Sequence, residues 1–217
     1  SALASHLARA PRQGVRVVQL KGGTSYSERA THDYEIMRSF CEALCAEPRY
    51  LPLPAIFEDT ATASIVRADR AIARILEEGR GVDVAVFTVG AINEAALSLN
   101  LGQLEVGEVE ALLRDAVGDA CSRFFTRDGA VAAPAVDERT VGIRLEELRA
   151  RPVRVLVAGG RVKASALDTA LRMGLATHLV VDQDLAAALL ERQGEASPSV
   201  GGQRRPPTDE NTCQFTR

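Results

Sequence analysis

The chain has 217 residues, with 26 Lys and Arg against 29 Asp and Glu, a formal net charge of −3, 46% hydrophobic and 25% charged residues. That balance suits one globular unit with a sizeable core and argues against a chain that grips nucleic acid by bulk positive charge. Aromatic residues make up 4% and Trp is absent, so platforms for stacking bases are not expected either. No apolar run approaches the roughly 18 residues of a membrane span. Arg9 and Arg12 interrupt any signal-like stretch, so a cytoplasmic location without membrane attachment is expected.

In chain order, the Ala/Leu-rich stretch 1–9 reads as a helix already under way and 11–14 as a turn. Val15 to Leu20 reads as a strand that runs into Lys21-Gly22-Gly23, and 22–30 as a polar loop containing Ser25, Tyr26 and Ser27. From Thr31 a helix is expected, with Met37, Phe40, Cys41, Leu44 and Cys45 at i, i+3, i+4 spacing and Pro48 as its terminator. Tyr50 to Pro54 reads as a short edge strand, and Asp69 to Glu78 as a helix stopping at Gly79. Val82 to Val89 reads as a strand buried on both faces that ends in Gly90. Helices are expected over 105–114 and 115–125, a turn at Asp128-Gly129, and two small paired strands at 131–135 and 140–143. The remainder reads as helix 145–150, strand 153–157, helix 161–173, strand 178–181 and helix 182–192. Residues 1–193 thus form one domain, and 194–217, rich in Gly, Pro and Ser without periodicity, form a disordered tail.

The repeated strand, glycine turn and helix predict an α/β fold: a mostly parallel sheet with helices on both faces. Ligands of such sheets bind beyond the carboxyl ends of the strands. Only two of the cations are lysines, Lys21 and Lys163, and each follows a strand at a glycine turn. Lys21-Gly22-Gly23 reads either as a contact to an anion or carbonyl group or as a solvated turn. Gly159-Gly160-Arg161-Val162-Lys163 opens a helix and suits a phosphate, unless the glycines serve only strand–helix packing. Gly90 falls at a third strand end. Asp119 could accept hydrogen bonds from sugar hydroxyls, or else cap a helix or pair with Arg123 at i+4. Asp137, Glu138 and Arg139 read as a polar turn. His32 and Asp33 read as a helix start, since no serine lies in a nucleophile elbow, and no catalytic residue is assigned. Cys41, Cys45, Cys121 and Cys213 read as reduced thiols; Cys41 and Cys45 would need two more ligands to hold a metal, so no metal or cofactor is expected.

The ordered series Val17-Val-Gln-Leu-Lys-Gly-Gly23, Ala71-Ile-Ala-Arg-Ile-Leu76, Val82 to Gly90, Ala116-Val-Gly-Asp119, Phe124-Phe125, Asp128-Gly129, Val141-Gly-Ile143 and Val155 to Lys163 resembles the effector domain of SorC-type transcriptional regulators. That resemblance covers about residues 1–193. It implies a Rossmann-like fold related to sugar-phosphate isomerases and deaminases, a phosphorylated sugar as effector and a homo-oligomer, dimer or tetramer. DNA would be met only through a helix-turn-helix that this chain does not contain. Lys21 would meet the effector beside Gly22 and Gly23, Asp119 the sugar hydroxyls, and Lys163 with Gly160 the phosphate, with Gly90 at the same edge. Leu-Lys-Gly-Gly followed by a Ser-rich loop is closest to members in which the matching lysine forms a Schiff base with deoxyribose 5-phosphate. The family's first strand and phosphate loop would lie upstream of Ser1. The expected function is therefore sugar-phosphate sensing without catalysis; a sugar-phosphate isomerase or deaminase on the same fold is the alternative.

Overall fold

The computed structural model describes residues 3–24 and 32–196. Its strands are β1 (Arg16–Val18), β2 (Glu47–Arg49), β3 (Val84–Phe87), β4 (Val89–Ala91), β5 (Gly118–Ala120), β6 (Arg123–Phe125), β7 (Val153–Ala158) and β8 (His178–Val181). The helices are α1 (Asp33–Leu44), α2 (Thr60–Ala68), α3 (Arg70–Arg80), α4 (Val106–Asp115), α5 (Pro134–Glu138), α6 (Leu145–Arg149), α7 (Ala164–Arg172) and α8 (Gln183–Ala196). Three short 3-10 turns complete the set, at Ala4–His6, Leu97–Leu99 and Arg161–Lys163.

The expected α/β character with mostly parallel pairing holds. β1 and β2 pair in parallel, β7 lies between β3 and β8 with both pairs parallel, and β4-β5-β6 is an antiparallel meander. Ala166, Leu167 and Ala170 of α7 share the largest core cluster with Ala85, Phe87 and Leu156 of the β3-β7-β8 sheet. The opposite face of that sheet is not closed: Val84 is 52% exposed, Val86 38% and Val180 49%. The reading of 82–89 as one strand buried on both faces is therefore corrected. The chain changes sheets at Thr88, and of residues 84–89 only Ala85, Phe87 and Val89 are buried in the core. β1 and β3 do not pair. Their free edges face one another across a cavity of about 790 Å³, which α1 lines with Ile36, Met37, Phe40 and Leu44.

The expected helix 115–125 is corrected to a hairpin. α4 ends at Asp115, and β5 and β6 turn on Cys121 and Ser122, whose φ angles are +53° and +61°. Two successive left-handed residues match the right-handed twist of a two-residue hairpin, a place usually taken by Asn-Gly. Gly118 allows the close packing beneath it, because a Cβ there would sit 2.5 Å from the Ala166 Cβ. Phe125 is fully buried in the same cluster. Phe125→Ala is expected to cost about 3–5 kcal/mol of unfolding free energy, which chemical denaturation would register as a lower midpoint.

Other boundaries also move. The helix from Thr31 ends at Cys45, a left-handed cap, and Pro48 instead sits inside β2, paired only with β1. The edge strand is Glu47–Arg49 rather than 50–54, where only Pro54 forms an isolated bridge, with Thr24. α2 was not expected; its N-cap Asp59 accepts from the Thr62 N–H at 2.8 Å. Residues 131–135 and 140–143 do not pair with each other. Val131 meets Phe125, Thr140 meets Ile56 and Gly142 meets Lys21, with α5 between them. Only the short turn Ala4–His6 is helical in the opening stretch. The Ser25–Ser27 loop and residues 197–217 lie outside the described residues, while α8 continues to Ala196.

Candidate functional site

The carboxyl ends of β1, β3 and β7 and the tip of the β5–β6 hairpin converge. Lys21, Thr88 and Cys121 line one end of the cavity between β1 and β3. Lys21 follows β1 in a backbone clamp: Ile143 N–H donates to the Leu20 carbonyl at 2.7 Å and Gly22 N–H to the Val141 carbonyl at 3.2 Å. Its half-buried ammonium donates to the Gly22 carbonyl at 3.1 Å. Gly22 is required by the close pass of the next loop, since a Cβ would lie 2.5 Å from the Leu53 carbonyl oxygen. Gly23 lies beside the Asp33 carboxylate.

Asp119 is 9% exposed and stands opposite Gly90 in the β4–β5 ladder. A Cβ at position 90 would collide with the Asp119 carboxylate, so Gly90 is the residue that makes room for it. Burial pushes the Asp119 carboxyl upward from its ordinary value. Hydrogen bonds from Ser98 and the Ser122 N–H, and the charges of Lys21 and Lys163, oppose that push without overcoming it. The two lysines thus address one carboxylate. Next to it, burial pushes the Cys121 thiol up to about 11, leaving a neutral wall at physiological pH. The i+4 pairing of Asp119 with Arg123 does not occur, because the two lie on a hairpin rather than a helix.

Lys163 sits in the 3-10 turn after β7, and its ammonium donates to the Thr88 hydroxyl at 3.4 Å. Burial lowers its pKa, with Asp119 acting in the other direction. Gly160, at φ +90°, allows the sharp turn into this segment, but its N–H already donates to Asp182 at 2.7 Å. The backbone amide expected to meet a phosphate is therefore taken by a carboxylate. Thr88 and Ser98 had no local signal in the sequence and reach the lysines and Asp119 through the chain's long-range return, whereas Cys121, two residues from Asp119, comes to the site with the hairpin turn. Asp137, Glu138 and Arg139 are not a solvated turn either. Asp137 and Glu138 belong to α5, and the buried Arg139 pairs with Glu108. Among the described residues no group of three or more His, Cys, Asp or Glu is placed to hold a metal, and no helix is long and apolar enough to cross a membrane.

Comparison with known proteins places this arrangement among regulators. The Sugar-bind family model, described as a sugar-binding domain, matches residues 1–191. The deoxyribonucleoside regulator of Bacillus subtilis (strain 168) is 43% identical over 178 residues, 82% of this chain and 57% of that protein. The transcriptional regulator LsrR of Escherichia coli O139:H28 is 31% identical over 182 residues, 82% of this chain and 55% of that protein. The chain thus spans a little over half the length of these curated relatives. Among solved structures, a domain of a possible sugar-binding transcriptional regulator from Arthrobacter aurescens TC1 superposes with a TM-score of 0.79 at 32% identity, covering 87% of this chain and 73% of that one. The full-length sorbitol operon regulator SorC of Klebsiella pneumoniae gives a TM-score of 0.77 at 23% identity over 87% of this chain and 62% of that one, a likeness of fold.

Proposed function

The chain belongs to the sugar-binding domain family of SorC-type transcriptional regulators, and on that premise we propose that it senses a phosphorylated sugar for a cytoplasmic, oligomeric, DNA-binding regulator. The observation that carries this reading is Asp119, the one buried carboxylate among the described residues, within reach of the charges of the chain's only two lysines, which follow β1 and β7. A carboxylate accepts from sugar hydroxyls, while a lysine supplies a compact charge for phosphate or an amine for a carbonyl carbon. Lys21 takes the carbonyl end, Asp119 the hydroxyls and Lys163 the phosphate. With Gly160 N–H held by Asp182, the charge of Lys163 rather than a turn amide carries the phosphate contact on this side. The effector we favour is deoxyribose 5-phosphate, bound rather than turned over, in a Rossmann-like frame akin to those of sugar-phosphate isomerases. The neutral Cys121 wall beside Asp119 suits a sugar with one hydroxyl fewer.

Calorimetric titration with deoxyribose 5-phosphate, ribose 5-phosphate, deoxyribose and inorganic phosphate tests the proposal. Deoxyribose 5-phosphate is expected to bind at least about ten-fold more tightly than either of its halves, because two sets of charged contacts act on one molecule. Equal affinity for inorganic phosphate, or no heat with any sugar phosphate, refutes it.

A further inference from the structure

Arg123 is 2% exposed, at the start of β6 and immediately after the hairpin turn. Its guanidinium donates to four backbone carbonyls: Ile143 at 3.3 Å, Thr140 at 3.0 Å, Gly142 at 3.1 Å and Asp137. It also pairs with the Asp137 carboxylate at 3.0 Å. No other described side chain donates to so many carbonyls. Every donor direction of the planar fork but one is committed to a single segment, 137–143.

That segment is the clamp on Lys21. Gly142 bridges Lys21, and a Cβ on Gly142 would sit 2.7 Å from the Lys21 Cβ. At its other end Arg123 is the ladder partner of Ala120, the residue after Asp119. One rigid, buried cation therefore spans the two elements that carry Lys21 and Asp119. These elements share no ladder of their own: β1 pairs with β2, and β5 with β4 and β6. A lysine would keep the charge and the Asp137 pair but has no fork to hold several carbonyls in a plane.

We infer that Arg123 is a positioning residue of the sugar site, fixing the separation of Lys21 from Asp119 through the 140–143 segment. The inference rests on the pocket proposed above, and its consequence is coupling: once Arg123 is loosened, Asp119 has less affinity to lose.

A double-mutant cycle of Arg123→Lys with Asp119→Asn, read by calorimetry with deoxyribose 5-phosphate and accompanied by thermal melts, tests it. Arg123→Lys is expected to melt cooperatively, to bind about ten-fold more weakly, and to leave Asp119→Asn costing only about a third of its usual factor. Penalties that multiply, or wild-type affinity in Arg123→Lys, overturn the inference while leaving the pocket intact. If wild type binds no sugar phosphate, the pocket falls and the inference with it. Should Arg123→Lys not fold, Asp137→Asn enters the same cycle. It removes the carboxylate but keeps the carbonyl contacts, and coupling with Asp119→Asn is again expected; strict multiplicativity again overturns the inference.

Discussion

Lys21→Ala is expected to weaken sugar-phosphate binding about 100-fold, the scale of a lost hydrogen bond from a charged group in a partly desolvated site. The fold should scarcely notice. Lys21 is held through its backbone by Gly142, Leu20 and Val141, and its side chain donates only to the adjacent carbonyl. The unfolding free energy should therefore change by less than about 1 kcal/mol. Lys21→Arg separates the two ways in which the amine could act. Arginine keeps the positive charge but cannot condense with an aldehyde. If Lys21 bonds covalently, borohydride treatment with deoxyribose 5-phosphate adds the reduced sugar phosphate to a Lys21 peptide in wild type, and Lys21→Arg binds as poorly as Lys21→Ala. If Lys21→Arg restores the affinity and no peptide gains mass, the contact is electrostatic.

Asp119→Asn is expected to do two opposite things. Effector affinity should fall about 10- to 100-fold, because the acceptor for sugar hydroxyls loses its charge and half its lone-pair capacity. The empty domain should become more stable. Burial raises the Asp119 pKa, so the folded chain holds this proton more tightly than the unfolded chain does. Below the ordinary carboxylate range both states are protonated and Asp119 contributes no pH dependence. As the pH climbs from that range through the raised folded value, the unfolded chain ionises freely while the folded chain must bury an ion, and stability falls. Asparagine removes that fall. At neutral pH the variant should melt at a higher temperature than wild type, and the two should converge in acid. Melts across pH that stay parallel would show that Asp119 carries no such cost. A carboxylate kept at the expense of the resting fold is what a site selected for its ligand requires.

Much of the frame was legible because its signals are local. The β1 segment, α3 and β7 each join an apolar run to a glycine or cap, and the rarity of lysine marks out Lys21 and Lys163 in the sequence itself. The β5–β6 hairpin was not legible. All six of its strand residues are buried, so the alternation that marks a strand is erased, and its turn is Cys-Ser rather than Asn-Gly. Asp119 reads in sequence as a carboxylate between apolar flanks in a helix; the structure sets it on a buried strand, away from the i+4 pairing with Arg123. Arg123 reads as an ordinary surface cation in sequence. Its role exists only because residues 137–143 fold back onto it, and no periodicity records that return.

The facing edges of β1 and β3 have a bearing on how the chain behaves in company. Among the described residues each strand has one edge without a ladder partner, and beside those edges Val84 and Val86 offer β-branched side chains to solvent. Natural sheets guard such borders with inward charges, prolines or bulges, because an open border recruits any extended segment of matching direction. Here the middle of the lining between the two strands is apolar, from Val17 and Val18 to Phe40 and Leu44. A strand laid into this slot would zip two half-sheets into one continuous sheet.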